Sequence, residues 1–261
     1  MQLRSTVYVL YRLPTWGLKI ISGILFGMSE INPIPIIAID GTSSSGKGTI
    51  ASLLAKKLGY NYLNSGALYR LAAHLAIINN IDIYDHTEDN LDQVVSLLVR
   101  ESSHVDFNDK QVIYRGENIW PLLSSQEAGN NASVIAPYPP LREATKEFQR
   151  SRIKLPGLVA EGRDMTTEVF VDAQVKIYLD ASVESRATRR LKDEEQRSSG
   201  KTYEMIYEEL QKRDEADKTR AIGALRLAED AFFIDTSTMT IDEVLNDCLE
   251  WCVQKGIRGS V

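Results

Sequence analysis

The chain has 261 residues, 43% of them hydrophobic and 25% charged, with 30 basic against 36 acidic side chains and a net charge of −6. That length and composition suit one domain with an insertion, or two small ones, and exclude wholesale disorder and collagen-like or coiled-coil architecture. The acidic balance argues against a general nucleic-acid coat protein, and two cysteines, Cys248 and Cys252, are too few for a disulfide scaffold.

Residues 1–29 carry Arg4, Arg12 and Lys19 and no acidic residue, and an apolar run from Ile20 to Met28 follows. Basic residues before a short apolar run resemble a targeting segment. The run is far short of the roughly 20 residues that span a bilayer, so no stable membrane insertion is expected. A secretory signal, an acid-poor transit peptide, an arm that touches membrane surfaces, and a dispensable extension ahead of a start at Met28 all stay open.

Pro35-Ile36-Ile37-Ala38-Ile39-Asp40 is a continuous apolar run that ends at a Gly/Ser turn, as expected of a strand buried on both faces of a parallel sheet. Ile50, Leu53, Leu54 and Leu58 then fall at helical spacing, with Gly59 where a C-cap belongs. Tyr60–Leu63 reads as a second strand, 66–79 as a helix and 91–99 as another. Val105-Asp106-Phe107 and Gln111–Tyr114 flank a polar turn, which predicts a hairpin, with 117–120 as a third short strand. Helical stretches follow near 125–135 and 140–152. Strands are expected at 158–162, 175–180 and 231–235, and charged helices at 182–195 and 202–216. Thr240 and Glu243 form a capping box for a last helix through Gln254. Alternating strands and helices predict a doubly wound α/β core, and the antiparallel piece predicts an inserted subdomain.

Gly41-Thr42-Ser43-Ser44-Ser45-Gly46-Lys47-Gly48-Thr49 fits the spacing G-x-x-x-x-G-K between a predicted strand and a predicted helix. Such a loop lets several backbone N–H groups converge on one phosphate, at a helix N-terminus that adds its partial positive charge. Lys47 then reaches the β/γ phosphates. Gly48 stands where a metal-binding Ser or Thr usually follows the lysine, so Thr49 is the hydroxyl candidate for a Mg²⁺ shell or a phosphate. The G-K-G-T ending resembles nucleoside-monophosphate kinases. Phosphoryl transfer needs positioning and charge neutralisation, so arginines are the residues to look for. Arg70, Arg142, Arg163, Arg186, Arg189, Arg190, Arg213 and Arg220 are candidates. For Arg186 to Arg213 alone, a solvated helix face is the competing reading.

The motifs Ile39-Asp40-Gly41 to Thr49, Asn64-Ser65-Gly66-Ala67-Leu68-Tyr69-Arg70, Leu155-Pro156-Gly157, Gly162-Arg163-Asp164-Met165, Val175 to Ser182, and Arg213-Asp214 with Asp217 and Arg220 together resemble the bacterial cytidylate kinases over about 36–254. The resemblance implies a P-loop three-layer α/β/α fold with a parallel core sheet. It also implies a small antiparallel insertion that binds the nucleoside monophosphate, at about 95–150, and a helical lid at about 186–200, within one kinase domain over 30–261. The implied reaction moves the γ-phosphate of ATP to CMP or dCMP with Mg²⁺. ATP would be held by residues 41–49 with Arg186 and Arg190. CMP would be held by Ser65, Tyr69, Arg70, Ser133, Arg142, Arg163, Asp164, Arg213, Asp217 and Arg220. Of these, Ser133, Arg142 and Asp164 would read cytosine, and Arg70, Arg163 and Arg220 would hold the CMP phosphate. Lys47, Arg163, Arg189 and Arg220 would carry catalysis, and no general base is required. The protein is expected to be a cytoplasmic monomer with no nucleic-acid partner. Departures from the family pattern are Asn64 and Glu161 for Asp, Thr166 for Gly and Val171 for Pro. The competing functions are a P-loop kinase of another small acceptor and a non-catalytic nucleotide-binding module. The cysteines are expected to pack in the core, Trp120 to pack the insertion, and His74, His86 and His104 to have no catalytic part.

Overall fold

A computed structural model describes residues 34–108, 111–196 and 200–257 of the chain. The N-terminal arm, the tip of the expected hairpin turn and part of the expected lid lie outside the described residues.

Strand β1 (Ile36–Gly41) runs through the middle of a five-stranded sheet. Ile37, Ala38 and Ile39 are fully buried, which explains why the strand is apolar at every position rather than at alternate ones. The sheet also contains β2 (Asn61–Asn64), β6 (Leu158–Gly162), β7 (Val175–Asp180) and β8 (Phe232–Asp235), in the order β2-β6-β1-β7-β8. Every pair is parallel, with Ala38 opposite Ala160 on one side and Lys176 on the other. All five carboxyl ends therefore share one edge, where ligands of open α/β sheets bind.

Helix α1 (Lys47–Leu58) lays Ile50, Leu54 and Leu58 on the sheet and stops at Gly59, whose φ of 69° is open to glycine at no steric cost. Lys56 and Lys57 in its last turn complement the helix dipole. Helix α9 (Ile241–Gln254) starts at the expected Thr240/Glu243 capping box and packs into the same core through Val244, Leu245, Cys248 and Cys252. Burial pushes both thiols up, Cys252 to about 12, as expected of inert packing residues. Met165, Val169 and Phe170 join Ala38, Leu63, Leu158 and Ala160 in another core cluster.

A further core lies among α2 (Ser65–Ile78), α3 (Glu88–Glu101), α5 (Gln126–Ile135), α6 (Pro139–Ser151) and the small sheet β3-β4-β5, with Trp120 packed against it. That sheet is antiparallel as predicted, from β3 (Val105–Asn108), β4 (Gln111–Tyr114) and β5 (Glu117–Asn118). The third strand is shorter than expected because the chain turns at once into a short helix, α4 (Trp120–Leu123), where Asn118 Oδ1 accepts from the Trp120 N–H at 3.1 Å and Pro121 suits the first turn. Buried Glu101 anchors this region, accepting from Tyr114 Oη at 2.8 Å and Arg115 Nη2 at 2.7 Å. Helices α7 (Val183–Gln196) and α8 (Tyr203–Thr219) pack together through Ala187, Ile206 and Leu210. No helix among the described residues is long and apolar enough to cross a membrane.

Candidate active site

The loop between β1 and α1 wraps as the motif requires. A Cβ on Gly41 would lie 2.0 Å from the Leu179 carbonyl oxygen, so only glycine lets the strand leave at this point. Gly46 precedes α1 with φ 93°. Thr42 Oγ1 donates to Asp180 Oδ1 at 2.7 Å, and Lys47 Nζ donates to the Thr42 carbonyl at 3.2 Å. Lys47 also stands 4.0 Å from Glu161 Oε2. Its pKa is pulled down to about 7, first by burial and then by Arg163. Burial and the neighbouring arginine outweigh the Glu161 carboxylate, so the ammonium sits where an anionic partner is favoured.

In front of the loop opens a cavity of about 630 Å³, within the range of small-molecule sites. Eight lysine and arginine side chains line it, against four carboxylates (Glu161, Asp164, Asp193 and Asp217). A chain of net charge −6 has thus gathered eight of its 30 lysines and arginines at one place. Arg70 is brought down to about 9 and Arg213 to about 10, by burial first and by their cationic neighbours second. Buried Ser45 Oγ and the Nε atoms of Arg142, Arg213 and Arg220 have no hydrogen-bond partner among the described residues. Such an arrangement is complementary to a polyanion.

Arg163 follows β6 and donates from Nε to Asp217 Oδ2 at 2.6 Å, while Arg220 lies 3.5 Å from Asp217 Oδ1. Burial works against the Asp217 carboxylate, and Arg163, Arg213 and Arg220 outweigh it, leaving its pKa below the ordinary value. Arg70 donates to the carbonyls of Leu123 at 2.5 Å and Ser125 at 2.7 Å, so α2 is tied to the insertion. At the far end, Arg142 pairs with Asp164, and Nη1 reaches the Ala136 carbonyl at 3.3 Å. Ser133 is nearby on α5. Ser65 Oγ accepts from Gln149 Nε2 at 2.8 Å, and Tyr69 Oη accepts from Thr145 Oγ1 at 2.9 Å. Asn64 caps α2 by accepting from the Ala67 N–H at 3.0 Å, which shows how asparagine serves at that position.

The cavity wall includes Ser43 to Thr49, Ser65, Tyr69, Arg70, Ser133, Arg142, Arg163, Asp164, Arg189, Arg190, Arg213, Asp217 and Arg220. Gly41 and Thr42 begin the loop and are not part of the wall. Arg186 differs from expectation. It is buried, and its guanidinium donates to the carbonyls of Ala181 at 2.8 Å and Ser43 at 3.3 Å and to Asp214 Oδ2 at 2.6 Å. It braces the loop from behind and does not line the cavity. Arg189 is partly engaged with Thr236, and Arg190 reaches Gln126 Oε1 at 2.5 Å. His74, His86 and His104 are all absent from the wall, and no group of three or more His, Cys, Asp or Glu able to hold a metal occurs among the described residues.

Several residues here were not singled out by the sequence. Asp40 is fully buried at the end of β1 and accepts from the N–H groups of Met165 at 2.9 Å and Thr166 at 2.8 Å and from Thr166 Oγ1 at 2.6 Å. It secures the π-helical turn Met165–Val169 that follows Arg163 and Asp164. Burial lifts its pKa to about 6. Thr145, Gln149 and Glu168 also act behind the cavity wall. Only Asp40, a carboxylate at the end of an otherwise apolar strand, hinted at such a partnership.

Residues 37–254 match the protein family described as Cytidylate kinase. The chain is 43% identical to the cytidylate kinase of Ralstonia nicotianae, over 86% of this chain and 95% of that one. Cytidylate kinases of Aeromonas salmonicida and Aliivibrio salmonicida are 41% and 42% identical, over 85% of this chain in each case and 95% and 97% of theirs.

Proposed function

The chain belongs to the cytidylate kinase family and transfers the γ-phosphate of ATP to CMP or dCMP; we propose that it does so in the cavity between the β1–α1 loop and the Arg142–Asp164 pair. The observation that carries this reading is the excess of cations, buried or half-buried, around a single cavity. The loop's N–H groups and Lys47 hold the β and γ phosphates of ATP. Arg70, Arg163 and Arg220 hold the CMP phosphate, with Asp217 keeping Arg163 and Arg220 in place. Arg189 and Arg190 belong to a lid over about 186–200 and neutralise charge as phosphate passes between the two anions. The region 95–150 is the monophosphate-binding insertion.

The chemistry asks little more of the protein. A phosphate monoester has a second pKa near 6 and is largely a dianion at neutral pH, so it attacks without a general base. In-line placement and neutralised charge then supply most of the rate. A divalent metal belongs to this reaction, and we take it to be Mg²⁺. The fit is with oxygen donors, a Thr49 hydroxyl and a Glu161 carboxylate on the same wall, rather than with an all-protein cage. Bound there, the metal would neutralise phosphate charge. Arg186 positions the loop through the Ser43 carbonyl. The reading carries a cytoplasmic site of action, where both nucleotides occur.

Cytosine offers an amine donor beside N3 and O2 acceptors. Asp164 accepts from the amine, Arg142 donates to N3 or O2, and Ser133 completes the edge. Uracil inverts the pattern at two atoms and leaves buried groups unpaired, which discriminates strongly. Asp164→Asn tests this assignment by steady-state kinetics. CMP turnover should fall by about 10²-fold or more in kcat/KM, and the preference over UMP should shrink. Unchanged selectivity would refute the base-reading role.

A further inference from the structure

We propose that Glu168 is a positioning residue for base discrimination, sharing the Arg142 guanidinium with Asp164 so that Asp164 can turn its carboxylate to the base. The inference rests on the reading that Arg142 and Asp164 recognise cytosine. Glu168 lies on the turn Met165–Val169, four residues after Asp164. Its Oε2 is 3.5 Å from Arg142 Nη2, the same nitrogen that donates to Asp164 Oδ2. Its Oε1 accepts from the Gly223 N–H at 2.8 Å. One carboxylate thus bridges the base-reading arginine and the segment that follows Arg220.

The bridge has a steric partner. The backbone at Gly223 passes so close over the guanidinium that a Cβ there would come within 1.8 Å of Arg142 Nη2. Gly223, Ala224 and Leu225 are buried, and the Leu225 N–H donates to the Asp217 carbonyl at 2.7 Å. Residues 223–225 therefore close over Arg142 and are pinned at two points, by Glu168 and by Asp217.

The hydrogen-bond inventory gives the consequence. Nη2 carries two N–H bonds, and in this arrangement one serves Asp164 and the other faces Glu168. When a cytosine amine binds Asp164, the carboxylate must share its oxygens between amine and guanidinium. A second carboxylate keeps Arg142 neutralised and in register during that sharing. It also adds negative potential near the base's exocyclic position, which favours an amine over a carbonyl oxygen. Glu168 acts through Arg142 and does not touch the base. Its half-exposed side chain leaves little weight for it in the core, so a fold role is small.

The test uses the full chain with Glu168→Val, Glu168→Gln and, as a control, Arg142→Met. kcat and KM are measured for CMP and UMP at saturating ATP, and KM is measured for ATP. Glu168→Val should raise KM for CMP about tenfold, leave kcat and the ATP KM within about twofold, and lower the CMP/UMP ratio of kcat/KM about tenfold. Glu168→Gln keeps an acceptor for Gly223 but not the charge, so it should recover part of the loss. Wild-type KM and selectivity in both Glu168 variants, with selectivity lost in Arg142→Met, would overturn the proposal and leave the base reading intact. Selectivity retained in Arg142→Met would refute the base reading itself, and the role of Glu168 with it. A Glu168→Val loss shared equally by CMP, UMP and ATP would also overturn it.

Discussion

The Thr166 hydroxyl gives Asp40 a third hydrogen bond, 2.6 Å long and buried. Thr166→Val removes that hydroxyl at nearly constant shape and leaves the two backbone bonds. A buried bond to an ionised group contributes about 1.5–3 kcal/mol, against about 1 for a neutral one. The sign with pH follows from the Asp40 pKa, raised from 3.8 to about 6 by burial. A carboxyl raised on folding stabilises least when ionised, so the wild type loses on the order of 3 kcal/mol of stability as pH rises between those two values. Removing a bond to the ionised form raises the pKa further and extends the loss upward past 6. Urea unfolding followed by circular dichroism should therefore show Thr166→Val weaker by about 1.5–3 kcal/mol near pH 8, with the gap narrowing to about 1 kcal/mol near pH 5. A gap below about 0.5 kcal/mol near pH 8, or the same gap at both pH values, would refute the reasoning. The variant should also turn over more slowly, because the turn it loosens follows Arg163 and Asp164.

Lys47→Met should lower kcat by about 10²–10³-fold while the far-UV circular dichroism is unchanged, since it removes a preorganised charge from the transferred phosphate; a loss confined to the CMP KM would contradict the placement. Glu101→Gln should lower the melting temperature at neutral pH. The Glu101 carboxyl is held down to about 2, mainly by its hydrogen bonds from Arg115 and Tyr114, so its contribution is present above the unfolded value of 4.5 and is lost as pH falls toward 2. A melting difference that stays constant from pH 7 to pH 2 would count against that origin.

The parallel strands were legible because burial on both faces leaves an uninterrupted apolar run, as at Ile36–Ile39 and Leu158–Ala160. Helix ends were legible where one residue type answers one backbone need, as at Gly59 and at the Thr240/Glu243 pair. The phosphate loop could be read from spacing alone. The arginines could be placed only through their resemblance to a known set, because no local pattern says which arginine turns inward. Arg186 shows the difference. It shares an alternating-charge helix with Arg189 and Arg190, yet its guanidinium is buried against Ser43 and Asp214. The Asp40 contacts bridge 125 and 126 positions and carry no periodic signal. The five-residue turn at 165–169 is too short to show one. Pro121 was available as a warning against a longer third strand.

The central claim is tested most directly by the acceptor preference of the purified full chain. ADP release from ATP and Mg²⁺ should be followed with CMP, dCMP, UMP, AMP or GMP, and without an acceptor. Strong stimulation by CMP and dCMP, with little from the others, is the predicted result. Stimulation by none of the nucleotides, or equal stimulation by UMP, would contradict the cytosine-reading site built around Arg142 and Asp164.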